Sequence, residues 1–234
     1  MRRTVLAFAL LALLADLPLA RADESNPGTF RPLFNGKDLT GWVQHGGKAQ
    51  YSIDGDTIVG TAVPDTPNSF LCTDRDYGDF ILELEFKVDP LLNSGVQIRS
   101  CVFDEPHTYE YKSGAGDNRQ QTIEPGRVHG YQVEIDPSDR AWTAGIYDEG
   151  RRGWLFNLEK NEAAQKAFRQ NEWNKFRVEC RGASIKTWLN DVPAADLTDD
   201  VTPRGFIALQ VHSIGEKEAA GKQIRWRNIR LQEL

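Results

Sequence analysis

The stretch Phe80-Ile81-Leu82-Glu83-Leu84-Glu85-Phe86-Lys87-Val88 sets Leu82, Leu84, Phe86 and Val88 against Glu83, Glu85 and Lys87 at period two. Successive side chains of a strand point to opposite faces, so this alternation predicts a strand with one face in a core and the other in water. Val96 and Ile98 alternate in the same way with Gln97 and Arg99, and Tyr131, Val133 and Ile135 with Gln132, Glu134 and Asp136. The runs 176–180, 185–189, 206–212 and 224–231 repeat the theme, and Ile53 followed by Asp54-Gly55 and Ile58-Val59 reads as a tight hairpin. One short helix is expected, roughly 159–169, with Ala163, Ala164, Ala167 and Phe168 turned inward. Many short strands separated by turn residues predict an all-β chain: a two-sheet antiparallel β-sandwich of jelly-roll type with one short helix. The polar segment 104–129, with Ser113-Gly114-Ala115-Gly116 at its centre, breaks the rhythm and is expected to be a rim or lid.

Composition narrows the function. With 28 Lys+Arg against 34 Asp+Glu, the chain of 234 residues carries a net charge of -6, which argues against a nucleic-acid partner. Arg2 and Arg3 precede an apolar run from Val5 to Leu14, and Ala20-Arg21-Ala22 supplies a small-residue cleavage site. That pattern is a secretory signal over 1–22, too short for a membrane span, followed by a disordered lead over 23–28 and one domain over 29–234. The expected location is therefore periplasmic or secreted. Cys72, Cys101 and Cys180 allow at most one bridge, for which Cys72 to Cys101 is the preferred pairing, and none has zinc-ligand spacing. No nucleophile elbow, H-E-x-x-H, Walker loop or EF-hand occurs, and Gly114 with Gly116 is only an isolated G-x-G.

The candidate site lies on the faces opposite the apolar residues. Three strands offer Gln97 and Arg99; Gln132, Glu134 and Asp136; and Gln210 and His212. Alternate residues of a strand share a face about 6.5 to 7 Å apart, so neighbouring strands would combine these groups into a polar bed suited to sugar hydroxyls. The competing reading is an ordinary wet face, with Arg99 paired to Glu134 or Asp136. Glu134-Ile135-Asp136 also invites comparison with retaining endoglucanases, whose carboxyl pairs stand about 5 to 5.5 Å apart, but the second glutamate of their strand pattern is absent. Trp142, Tyr147, Trp154 and Phe156 can either stack a sugar ring or pack as half-buried loop residues.

Taken together, the motifs resemble the exported 3-keto-disaccharide hydrolase family. The resemblance rests on Leu33-Phe34-Asn35-Gly36-Lys37-Asp38-Leu39-Thr40-Gly41-Trp42, on 93–99, on Gly130-Tyr131-Gln132-Val133-Glu134-Ile135-Asp136 and on Gly145-Ile146-Tyr147-Asp148, continuing through 172–174, 188–190, 205–210 and 227–230. It implies a concanavalin A-like lectin/glucanase sandwich acting on small glycosides whose glucose unit is oxidised at C3. A ketone at C3 acidifies the C2 proton, so a base can remove it, the C1 substituent can leave, and water can add. On residue chemistry Glu134 or His212 is the base, Arg99 steadies the enolate oxygen, and Tyr147 or the remaining one of Glu134 and His212 is the acid. Gln97, Gln132, Asp136, Gln210 and Trp142 are expected to bind substrate. No cofactor is implied, although a divalent cation held by Glu134, Asp136 and His212 is an alternative electrophile to Arg99. A lectin-like binding module and a retaining glycosidase are the alternative functions.

Overall fold

A computed structural model describes residues 28–113, 116–215 and 219–234. The expected signal and nearly all of the lead lie outside the described residues. Strands β1 (Arg31–Pro32), β3 (Gln50–Asp54), β4 (Thr57–Thr61), β6 (Phe80–Val88), β13 (Asn174–Arg181), β14 (Ser184–Leu189), β15 (Val192–Thr198) and β17 (Gln223–Glu233) form sheet I, in the order β15-β14-β13-β6-β17-β4-β3 with β1 beside β17. Sheet II orders β12 (Gly153–Phe156), β11 (Ile146–Glu149), β10 (His129–Ile135), β7 (Ser94–Cys101), β16 (Phe206–Val211), β5 (Ser69–Thr73) and β2 (Trp42–Gly46). Every named strand pair is antiparallel, as the alternating pattern requires.

The apolar set of β6 meets that of β7, β10 and β16 between the sheets. Leu82, Leu84, Phe86 and Val88 join Val96, Ile98, Tyr131, Val133, Ile135, Ile207 and Leu209 in one buried cluster. Phe86 packs on Phe176 of the neighbouring β13 with ring centroids 4.4 Å apart, and Trp226 of β17 is fully enclosed. Burial of each such side chain stabilises the fold by about 1.5–3 kcal/mol relative to exposure.

The local expectations meet their test at particular residues. The hairpin at Asp54-Gly55 forms, with Asp54 opposite Thr57 and Gly55 at φ +59. The helix α1 is shorter than expected, Glu162–Ala167, because Asn161 caps it by accepting from the Ala164 amide and Phe168 is already extended. Ala164 is buried, Ala167 and Phe168 are half-buried, and Ala163 faces solvent. The segment 104–129 is largely a two-stranded ribbon, β8 (His107–Lys112) with β9 (Asn118–Ile123), whose polar residues on both faces hide its period. The Cys72 to Cys101 pairing is incorrect: all three thiols are free. Cys72 is on β5 and Cys101 on β7 with β16 between them, and two strand spacings of about 4.8 Å exceed a disulfide's reach.

The opening motif is a fold staple. Asn35 Oδ1 accepts from the amides of Lys37 and Asp38 at 2.8 and 3.0 Å, Asp38 Oδ1 accepts from Thr40 N, and Trp42 Nε1 donates to Leu33 O. Among the described residues no helix is long and apolar enough to cross a membrane.

Candidate functional site

Strand register assembles the site on the outer face of sheet II. One row across the sheet runs Glu134, Gly95, Gln210, Phe70, His45; the next runs Tyr147, Gln132, Gln97, Ala208, Cys72. Gln97, Gln132, Glu134 and Gln210 therefore do share one face, as the sequence implied. They are buried rather than wet: Glu134 is 5% exposed and Gln210 not at all.

Glycine makes this density of side chains fit. A Cβ on Gly95 would lie 2.5 Å from Gln132 Cγ and Cδ, so Gln132 folds across the place where a larger residue would stand. From there Gln132 Nε2 donates to Glu134 Oε2 at 2.8 Å, while Asn93 Nδ2 donates to Glu134 Oε1 at 2.7 Å. Gln97 Nε2 donates to Gln132 Oε1 at 2.6 Å, and Ser100 Oγ to Gln97 Oε1 at 2.7 Å. Burial pushes the Glu134 carboxyl above its ordinary range, against the pull of the Asn93 and Gln132 hydrogen bonds. Gln210, at the other side of Gly95, has neither amide atom paired among the described residues. A buried amide left this way costs free energy that a bound hydroxyl would recover.

Arg99 is the clearest correction to the expected face. Its backbone is left-handed, φ +46, and the β7 register slips there against both neighbours. The bulge sends the guanidinium away from Gln97, to Gly78 O, Gly182 O and Asp79 Oδ1 at 2.7–2.8 Å, where it is 1% exposed. It pairs with neither Glu134 nor Asp136 and is not available to an enolate. Ser100 takes the position on the outer face instead, and Gly130 leaves room for it: a Cβ there would sit 2.5 Å from Ser100 Oγ.

Asp136 is buried next to Glu134 but is occupied, accepting from Ser138 N and Oγ and from Arg140 Nε at 2.6–3.1 Å. It shapes the turn after β10 rather than offering a free oxygen. Trp142 stands edge-on to Trp154 at 4.8 Å, Trp154 to Tyr147 at 5.4 Å, and the Arg140 guanidinium lies 4.9 and 5.2 Å from the two indole centroids. These rings extend the polar face toward the sheet edge at β12. Among the described residues no three His, Cys, Asp or Glu side chains converge to hold a metal ion, so Glu134, Asp136 and His212 do not make a cation site together.

Glu149 is the residue that sequence reading missed. It lies two positions beyond Tyr147 on β11, opposite Gly130, and borders a cleft of about 530 Å³ with Asn68, Phe70, Arg127 and Ser213. Burial raises its pKa, opposed by the charges of Arg127 and His212 and by a hydrogen bond from Asn68; the Glu134 charge adds to the rise. Tyr147 is likewise raised by burial, then by Glu149 and Glu134. Tyr147 and Glu134 thus feel each other and Glu149, and His212, whose Nδ1 lies 2.6 Å from Ser213 O, reaches the group through Glu149. The signal for Glu149 was available: the alternation Tyr147, Glu149 continues the outer face of β11 beside Gln132.

The fold is a recognisable class, that of the two-sheet antiparallel β-sandwiches of galectin-like and concanavalin A-like type. Residues 29–232 match the family model of the 3-keto-alpha-glucoside-1,2-lyase-like domain, and the chain belongs to that family. No curated protein sequence matches it. Among solved structures it is similar to a Bacillus subtilis protein of unknown function with a galectin-like fold, at TM-score 0.59 and 13% identity over 88% of this chain and 96% of that one. It is also similar to carbohydrate-binding module CBM66 of Bacillus subtilis, at TM-score 0.54 and 15% identity over 82% and 96% of the two chains. A Parabacteroides distasonis protein provisionally assigned as a glycosyl hydrolase aligns at TM-score 0.54 and 15% identity over 88% and 94%. At these identities the likeness is one of fold.

Proposed function

We propose that the protein is an exported enzyme that cleaves glycosides whose glucose unit carries a ketone at C3. The observation that supports this best is the buried Glu134 carboxylate, fixed by Asn93 and Gln132 beside the buried amides of Gln97 and Gln210. A carboxylate raised by burial is a stronger base than one in water, which suits removal of the C2 proton that the ketone has acidified. Elimination then expels the C1 substituent with the electron pair of its bond to C1, and water adds to the resulting enone.

Arg99 is engaged away from this face, and the role of steadying the enolate oxygen passes in this reading to Arg127, which lines the cleft beside Glu149. Tyr147 and Glu149, on the neighbouring β11 and within reach of the Glu134 charge, are the candidate donors to the leaving oxygen, and His212 adjusts Glu149 through its charge. The unpaired amide of Gln210, with Gln97 and Gln132, orients sugar hydroxyls. Trp142 and Trp154 border the site where the departing group would lie.

A second reading is favoured by one observation. Glu149 offers a second carboxyl on the next strand that interacts with Glu134 through charge, and a retaining glycosidase would have to bring the two from register positions two side-chain steps apart to about 5 to 5.5 Å. The experiment that separates them offers purified protein a 3-keto-glucoside and its unoxidised parent, with and without chelator. Release of the aglycone from the keto compound alone supports ketone-activated cleavage. Release from the parent with retained anomeric configuration supports the glycosidase, and binding without release from either makes the face a lectin site.

A further inference from the structure

The hydrogen bonds behind Glu134 run in one direction. Ser100 Oγ donates to Gln97 Oε1, Gln97 Nε2 to Gln132 Oε1, and Gln132 Nε2 to Glu134 Oε2, at 2.7, 2.6 and 2.8 Å. Each donor faces the carboxylate, which is the arrangement an anion requires. The same heavy atoms satisfy a second arrangement with the direction reversed. A protonated Glu134 would donate from Oε2 to Gln132 Oε1, Gln132 Nε2 to Gln97 Oε1, and Gln97 Nε2 to Ser100 Oγ. The Ser100 hydroxyl would then need a new acceptor, and two carbonyls are in place: Ile98 O at 3.2 Å and Tyr131 O at 3.3 Å.

Both arrangements pair the same groups, so reversal needs only half a turn of two terminal amides and one hydroxyl rotation. Asn93 Nδ2 donates to Glu134 Oε1 in either case. The missing side chain of Gly95 leaves Gln132 room, and the bulge at Arg99 is what delivers Ser100 to this face. We propose that Ser100, Gln97 and Gln132 are positioning residues forming a reversible hydrogen-bond chain, whose direction switches when Glu134 gains or loses a proton. A buried base would otherwise strand a donor or an acceptor on each proton transfer, at the cost of an unsatisfied group. The inference rests on the reading of Glu134 as the base, although its test needs no substrate.

Other charges that face Glu134 are Asp136 and Arg140 from the turn after β10, and Tyr147 and Glu149 from β11. Asn93 just before β7 and the facing residues of β7 and β16, Gly95, Gln97 and Gln210, are neutral, with His212 beyond them acting on Glu149. None of these lies between Gln97 and Ser100, so a response at that far end reports the chain.

The test is an NMR titration of the whole protein, following the Glu134 carboxyl carbon and the side-chain amide of Gln97, which does not touch Glu134. The Gln97 amide signals should move with the Glu134 midpoint, and that step should vanish in Glu134→Gln. Ser100→Ala strands the Gln97 carbonyl in the anionic arrangement and the Gln97 amide donor in the protonated one, and the stranded donor is the costlier of the two. It should therefore lower the Glu134 midpoint by about half a pH unit, roughly threefold in proton affinity, and Ser100→Thr should restore it. Flat Gln97 signals through the titration, or a midpoint in Ser100→Ala that stays or rises, overturn the proposal. Absence of turnover on any 3-keto-glycoside would instead overturn the functional reading, leaving this outcome to be read separately.

Discussion

The two sheets carry polar residues at alternate positions on their outer faces, yet they satisfy them by opposite means. On sheet I, Glu83 binds Arg177 and Arg230 at 2.9 and 2.6 Å and Glu85 binds Arg227 at 2.7 Å, ion pairs whose arginines are about one-third to one-half exposed. A depression of about 770 Å³ on that sheet is lined by Glu83, Glu85 and Arg230 with Phe30, Phe34 and Lys175. On sheet II the outer face is amide-rich and buried, and it leaves Gln210 unpaired. Of the two clefts described, volume alone favours sheet I. These ion pairs, open to solvent on their arginine side, are complete in themselves, whereas a buried amide without a partner is unfinished until a ligand or water arrives.

The contrast should be sharpest in catalysis. Glu134→Gln is expected to lower release from a 3-keto-glucoside by at least about 100-fold, while Glu83→Gln on sheet I changes it less than about twofold. Equal losses would erase the distinction between the faces. Next in size, Gly95→Ala should drive Gln132 off Glu134, destabilising the fold by about 1–3 kcal/mol in denaturant titrations. Gly78→Ala, where a Cβ meets nothing nearer than 3.9 Å, should cost less than about 0.5 kcal/mol.

The pH dependence of stability should differ in sign between the faces. Burial raises Glu149, so its contribution is complete below the ordinary value of 4.5 and is lost as pH rises through the folded value. Burial also works to raise Glu83, but hydrogen bonds from Arg230 and Arg177 outweigh it and the pKa is lowered. Its contribution is present above 4.5 and is lost as pH falls through the folded value. Glu149→Gln should therefore flatten the decline in denaturation midpoint above pH 4.5, and Glu83→Gln the decline toward acid. The smallest effect is expected for Arg227→Ala, about 1 kcal/mol or less and shrinking further in high salt.

Much of this was legible before any coordinates. Period two located the strands because burial on one face forces it, and the rows of Gln97, Gln132, Glu134 and Gln210 follow from that period once the strands are neighbours. Arg99 was misplaced because a left-handed residue adds one to the count, and arginine gives no sign of it as glycine would. Asn228 does the same in β17, where φ is +53 and the register shifts between Arg227 and Arg230. Glu149 was hidden by Gly150 beside it, which marks a turn and obscures the last strand position. The ribbon 107–123 was illegible because exposed residues on both faces remove the contrast on which periodicity depends. Asp136 kept the expected neighbour but lost the expected freedom, since Ser138 and Arg140 fold back onto it within the same turn.

The position of β16 has a consequence for the order in which the molecule can be made. β5 ends at Thr73 and β7 begins at Ser94, but the strand between them in the sheet begins only at Phe206. Until that late segment emerges, sheet II is two separate pieces with open edges and no Gln210 between Gly95 and Phe70. Such distant pairing is slow and leaves unpaired edges able to join another chain. The outer face of sheet II is therefore among the last parts of the molecule to exist, and a chain cut before Phe206 would hold Glu134 without the strand that lies across Gly95 from it.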